Sequence, residues 1–198
     1  MLGLMQQQPM MISSLLTHAA RHHSTAEIVS KTTEGPIHRY TYPAAEARAR
    51  RLVRVLQRLG VREQDRVGTL AWNGFRHFEI YYATSGMSAI VHTINPRLHP
   101  DDITYIINHA GDQVIFADTS FVTLLTQIAP AITTTVRAVV LMTDAANMPD
   151  LALPAGMLLH CYEDLMTAAD DDYTWTAFDE NTAAGLCYTS GTTGRPKG

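Results

Sequence analysis

Apolar and polar positions follow two rhythms along the 198 residues. In the first sixty, "MISSLLTHAARHH" (11–23) sets Ile12, Leu15, Leu16 and Ala19 at helical spacing and predicts an amphipathic helix. "EIVSKT" and "IHRYTY" bracket the turn residues "TEGP", the pattern of a β-hairpin. Pro43 suits the opening of a second helix. On that helix Ala49, Leu52, Val53, Leu56 and Leu59 share one face, and Gly60 supplies a residue typical of helix C-termini.

From residue 65 the rhythm shortens. "DRVGTLAW" (65–72), "AIVHTIN" (89–95), "QVIFAD" (113–118) and "VRAVVLMT" (136–143) are β-rich runs at near-even spacing. Between them lie "FRHFEIYYATSGM", "HPDDITYIINHAG" and "TSFVTLLTQIAPAI", each with helical periodicity. The middle one opens on Pro100, with Asp101 and Asp102 in the first turn, where the helix dipole favours carboxylates. Strands alternating with helices build right-handed βαβ units, so the predicted fold is α/β, a mostly parallel sheet covered on both faces. The segment 144–183 reads as a loop followed by a short helix, "YEDLMTAA". A final strand, "GLCYTS" (185–190), then delivers a glycine-rich tail, so that 184–198 forms strand and loop.

Composition narrows the class. With 46% hydrophobic and 17% charged residues the chain is that of a globular protein, and a net charge of −4 gives no global attraction to nucleic acid or to an anionic membrane. No apolar run reaches spanning length and no basic leader precedes one, which points to the cytoplasm, with contact at a membrane surface still compatible. Cys161 and Cys187 stand in no metal or redox spacing and read as free thiols.

The chemistry sits at the end, in "YTSGTTGRPKG" (188–198). Gly191 and Gly194 let backbone approach a ligand closely, and successive amides in such a turn form an anion nest. Thr189, Ser190, Thr192 and Thr193 add hydroxyls and Lys197 a flexible cation, a set suited to polyphosphate. The spacing is not that of a Walker A loop, since Gly198 stands where Ser or Thr is required, and the dinucleotide Gly-x-Gly-x-x-Gly pattern also fails.

This stretch resembles the phosphate-binding signature of the adenylate-forming enzymes: acyl-CoA synthetases, luciferases and peptide-synthetase adenylation domains. The resemblance extends through "AWNGFRHFEIYYATSG", "HTINPRLHPDDITYIINHAGDQVIFAD" and "DENTAAGLCYTSGTTG", nearest to bacterial medium-chain acyl-CoA ligases. It implies ATP, Mg²⁺ and coenzyme A as cofactors and cosubstrates, a fatty acid as partner substrate, and a nucleotide site formed by Thr189, Ser190, Gly191, Thr192, Thr193, Gly194 and Lys197. It also implies that Thr189 or Ser190 lies near the metal. Ligases for aromatic or other acids share the same loop, and a non-catalytic nucleotide-binding or dimerisation module is the alternative from another class. In the family, the adenine and ribose segments, a hinge and the catalytic lysine follow this signature. The chain is therefore expected to be the first part of the adenylation domain (1–60, 65–143, 144–183 and 184–198), with no catalytic residue within it and no turnover alone. Apolar sheet surface left for further elements would favour self-association, a homodimer among the outcomes.

Other clusters read more plainly. Arg48, Arg51, Arg54 and Arg58 form a helix stripe, expected to be a solvated face rather than a nucleic-acid surface. Asp170, Asp171 and Asp172 lack an EF-hand pattern and read as a solvated loop. His18 and His22 are one turn apart, with His23 beside them, but show no third metal ligand. Trp72, Asn73, His92, Asn95 and Arg97 fall at or just past strand ends, as loop and cap residues or as neighbours of an acyl or CoA channel.

Overall fold

A computed structural model describes residues 3–189 and 194–198. Helix α1 (Ile12–His22) leads into a hairpin of β1 (Glu27–Lys31) and β2 (Ile37–Thr41), paired antiparallel, and then into α2 (Tyr42–Arg58). Pro43 lies in the first turn of α2, and Gly60 follows its last residues at φ +79°, a left-handed conformation that glycine adopts without strain. On α1 the buried positions are Ser13, Leu16 and Ala20; Ile12 and Leu15 remain 41% and 64% exposed. The apolar stripe read from the sequence is thus rotated relative to the face that packs, because Leu16 meets Tyr40, Ala45, Ala49 and Phe75 in a small satellite core.

The main body is a six-stranded, wholly parallel sheet formed by β3 (Arg66–Leu70), β4 (Ile90–Thr93), β5 (Asp112–Ala117), β6 (Ala138–Leu141), β7 (Leu158–Cys161) and β8 (Gly185–Cys187). The order across it is β7-β6-β5-β3-β4-β8. Strand β7 lies in the stretch the pattern read as loop and short helix. It is a four-residue strand at the sheet margin with Leu158 58% exposed, so it lacks the burial that marks β6, its equally short neighbour.

Alternation along the strands sorts the core into two layers. Val67, Val91, Val114, Phe116, Val140 and Met142 face α2, α3 (Phe75–Gly86) and α6 (Tyr162–Thr167). Leu70, Ile94, Ile115, Ala117, Val139 and Leu141 face α4 (Pro100–Ala110) and α5 (Val122–Ile128). Helix α4 is tightly specified. His99 caps it by accepting from the Asp101 N–H, Asp101 and Asp102 occupy the first turn, and Gly111 closes it at φ +71°. Its inward residues Ile103, Ile106 and Ile107 are fully buried.

The arginine stripe of α2 is not a merely solvated face. Arg51, Arg54 and Arg58 pair with Asp171, Asp172 and Asp170 at 3.7, 2.8 and 3.7 Å, so two clusters far apart in sequence are each other's partners. These pairs are solvent-screened and contribute little individually. They fasten the connection 168–184, which runs from α6 over α2 and α3 to β8, with Trp175 lying over Gly86 so closely that a Cβ there would fall 2.3 Å from the ring.

Arg48, the first of the stripe, turns inward. Its Nε donates to Glu79 Oε1 at 2.7 Å and its Nη2 to Glu163 Oε2 at 3.0 Å. The Tyr162 hydroxyl donates to the other Glu79 oxygen at 2.7 Å. Arg76 extends the network to Glu163, to Glu34 in the hairpin turn and to the Met142 carbonyl, all at 2.8 Å, and Thr143 donates to Glu34 at 2.9 Å. One polar network thus joins α2, α3, α6, the hairpin and the end of β6.

Candidate functional site

In an open parallel sheet, ligands collect where the strand order reverses, outside the carboxyl ends. Here β4 and β5 lie on opposite sides of β3, which puts the reversal between the segments after β3 and β5. That crevice is filled. The Trp72 N–H donates to Asp118 Oδ2 at 2.6 Å, the Trp72 indole donates to Ser120 Oγ at 2.9 Å, and its ring packs 5.2 Å from Phe121. The hairpin turn and Arg76 cover the rest, leaving a cavity of ≈ 30 Å³ lined by Thr32, Asn73, Asp118 and Met142 among others. Such a space has room for little more than a water molecule. Trp72, 45% exposed, thus spans the mouth of the crevice, and Asn73 lines it.

Burial in this crevice pushes the Asp118 carboxyl up from 3.8 to about 6, against the pull of the Trp72 N–H and the Arg76 charge. The folded state therefore binds this proton more tightly than the unfolded chain. The stability contributed is fully present below pH 3.8 and is lost as pH rises to about 6, a change of about 3 kcal/mol by linkage. Asp118→Asn keeps an acceptor for Trp72 and removes the charge. The variant is expected to exceed the parent in stability by about 1–3 kcal/mol at pH 7.5 and to match it by pH 4. Urea denaturation at the two pH values checks this, and an equal difference at both would refute it.

His92 also departs from its expected place. It is not at a strand's ligand end but fully buried within β4, with Nδ1 2.8 Å from Asp112 Oδ2, and burial raises the Asp112 carboxyl against the influence of His92. Asn95 accepts from the Arg97 N–H at 3.0 Å, an Asx turn that makes both loop-shaping residues. The His18 and His22 rings lie 4.6 Å apart between centroids, tilted by 38°, and among the described residues no three His, Cys, Asp or Glu side chains converge on a metal position. Cys161 and Cys187 lie on β7 and β8, the opposite margins of the sheet. No helix among the described residues is long and apolar enough to cross a membrane.

The carboxyl end of β8 is a different setting. Thr189 and Lys197 form an antiparallel bridge, with N–H···O bonds of 2.9 and 3.1 Å in the two directions, and the Thr189 hydroxyl donates to the Lys197 carbonyl at 3.3 Å. The glycine- and hydroxyl-rich turn is thereby closed at its base. Thr189, Gly194 and Lys197 are exposed, and a Cβ on Gly194 would meet nothing within 4 Å. The other predicted site residues, Ser190, Gly191, Thr192 and Thr193, lie outside the described residues. Sequence reading missed the surroundings of this turn. The Tyr188 hydroxyl is 2.6 Å from His109 Nδ1, and Arg195 lies 4.9 Å over the Tyr105 ring, so α4 flanks the turn. Aromatic residues one helical turn apart at 105 and 109 were the available signal.

A parallel α/β sheet with a hydroxyl-rich glycine turn beyond the carboxyl end of one strand puts polar groups on the side where such sheets bind ligands. The family described as AMP-binding enzyme matches residues 16–198, and the chain belongs to that family. It is 50% identical over all of its length to 3-methylmercaptopropionyl-CoA ligase of Ruegeria lacuscaerulensis, of which it covers 36%. To medium-chain-fatty-acid–CoA ligase of Ectopseudomonas oleovorans it is 45% identical, again over 100% of the chain and 36% of the relative. The fold agrees with the crystal structure of the anthranilate CoA ligase AuaEII in complex with anthranoyl-AMP at a TM-score of 0.76 and 19% identity, covering 96% of this chain and 34% of that one. The chain thus spans about a third of the length of the curated relatives it matches.

Proposed function

We propose that the full-length protein is an AMP-forming acid–CoA ligase and that this chain contributes its grip on ATP. The carboxylate oxygen of a fatty acid attacks the α-phosphorus of ATP, the bond to the bridging oxygen breaks, and pyrophosphate leaves with that electron pair. The thiol of coenzyme A then adds to the acyl-adenylate carbonyl, AMP departs and the thiol proton is released. A carboxylate is ionised at neutral pH, so the first half needs no general base. It needs in-line positioning and neutralisation of charge on the departing pyrophosphate.

The carrying observation is identity of 45–50% to CoA ligases across the whole chain, including the turn closed by Thr189 and Lys197. In this reading Thr189, Ser190, Gly191, Thr192, Thr193, Gly194 and Lys197 bind the phosphates, the hydroxyls and the lysine as side-chain donors and the glycines as the residues that admit a ligand close to the backbone. Mg²⁺, when bound, neutralises phosphate charge. Hydroxyl oxygens are hard ligands that suit it. Thr189 keeps lone pairs for a cation even while donating to Lys197, and Thr189 or Ser190 would supply the hydroxyl that holds the metal when it is bound. A cytoplasmic location and self-association belong to the same reading.

The acid is a medium- to long-chain fatty acid, supported by the similarity to the medium-chain ligase. The 50% identity to a ligase named for 3-methylmercaptopropionate favours a second reading, a short thioether acid. ATP–pyrophosphate exchange on the full-length protein decides, using saturated acids from hexanoate to octadecanoate, 3-methylmercaptopropionate and benzoate. The highest kcat/KM is expected with a medium-chain acid. Exchange confined to the thioether acid selects the second reading, and no exchange with any acid defeats both.

A further inference from the structure

The loop signature says nothing about what holds the loop in place, yet the surroundings of β8 do. Tyr188 immediately precedes Thr189. Its hydroxyl is hydrogen-bonded to His109 at 2.6 Å, and its ring meets His109 edge-on at 5.8 Å and His92 at 5.2 Å. On the far side of the turn, Arg195 places its guanidinium 4.9 Å over Tyr105. Gly198 lies against the Tyr188 ring, where an added Cβ would fall 2.7 Å from Cε2. Tyr105 and His109 are one turn apart on α4, with ring centroids 5.3 Å apart.

We propose that Tyr105 and His109 of α4 are positioning residues for the nucleotide turn, holding its two flanks through Arg195 and Tyr188 and so fixing where Thr189 and Lys197 stand. This rests on the ATP-binding role proposed above. Helix α4 is suited to serve as the fixed reference, since Ile103, Ile106 and Ile107 bury its inner face completely and both its ends are capped. The clamp lies on its outer side: His109 and Arg195 are exposed, while Tyr105 and Tyr188 are half-buried.

A turn rich in glycine loses much backbone freedom when it closes on a ligand. Holding its flanks beforehand removes part of that entropic cost and raises affinity without any new contact to the ligand. The clamp therefore acts on ATP binding. Its exposed members, His109 and Arg195, stand outside the core.

The test compares His109→Ala, His109→Asn, Arg195→Met and Tyr188→Phe in the full-length protein, reading ATP affinity by calorimetry, KM for ATP and for the acid by pyrophosphate exchange, and the thermal midpoint. In His109→Ala the Kd and KM for ATP are expected to rise about tenfold, with KM for the acid and the midpoint nearly unchanged. Asparagine, whose amide stands near the place of Nδ1, should recover most of the affinity. Tyr188→Phe should add nothing to His109→Ala, because both break one contact. Unchanged ATP affinity in His109→Ala and Arg195→Met, with a parent that binds and exchanges normally, overturns the clamp alone. A loss that follows the midpoint and is not recovered by asparagine also overturns it. A parent that neither binds ATP nor exchanges pyrophosphate brings down both the clamp and the ligase reading.

Discussion

Arg48→Met is expected to lower folding stability by about 3–5 kcal/mol, the range for removing one partner of a buried ion pair. The reason is Glu79, which has no exposed surface and accepts from Arg48 at 2.7 Å and Tyr162 at 2.7 Å. Burial pushes the Glu79 carboxyl above its ordinary value while Arg48 and Tyr162 pull it down, so the carboxylate depends on these two donors. Without the guanidinium it must either remain charged in a dry interior or take up a proton, and both are unfavourable. Lysine is a poor substitute, because a single ammonium cannot serve Glu79 and Glu163 from the two edges of a planar fork. Chemical denaturation of Arg48→Met, Glu79→Gln and the double variant tests this. The double variant should recover much of the loss. A cost below about 1 kcal/mol for Arg48→Met would show that the pair is solvated rather than buried.

The largest effect on activity is expected in the turn itself. Under the ligase reading proposed above, Ser190→Ala or Thr192→Val in the full-length protein should slow acyl-adenylate formation by up to roughly 10² to 10³, the scale of one donor aimed at developing charge, about 3–4 kcal/mol. Lys197→Ala should cost less. Its backbone is pinned to Thr189, but its side chain is exposed and an ammonium on a flexible stem loses rotamer freedom when it engages. Pyrophosphate exchange under single-turnover conditions ranks the three. A greater loss in the lysine variant than in the hydroxyl variants would reverse the order and make the cation the main contributor.

What could be read from the sequence depended on how local its cause was. Helix α4 was legible because Pro100, the paired aspartates and Gly111 all act within the helix they delimit. The four inner strands announced themselves through burial on both faces, which demands continuous apolar runs. Strand β7 did not, since a short strand at a margin needs no such run. The arginine stripe and the aspartate triplet were each visible, but their pairing was not, because Arg54 and Asp172 are brought together only by the path of the chain. His92 was misplaced for a related reason. A histidine in a strand looks like a functional group until its buried partner Asp112 on the second strand over is seen. The glycine- and hydroxyl-rich turn stood out in the sequence by its composition, whereas its seat on α4 did not, since Tyr105 and Arg195 share no local pattern.

The connection 168–184 starts beside one margin of the sheet and ends at the other. Five strand spacings make that crossing about 24 Å, and the segment stretched out would reach about twice as far. The spare length is taken up where Asp170–Asp172 pair with α2, Tyr173 is buried and Trp175 donates to Glu46, so past Trp175 the height of β8 in the sheet is dictated by its ladder to β4 and by what grips Tyr188. Insertions or deletions of a residue or two between these anchors and β8, in 176–184, would be absorbed as changes in curvature, and the turn after β8 would stay at the same level above the sheet, whereas the same changes in 170–175 would pull the anchors out of place.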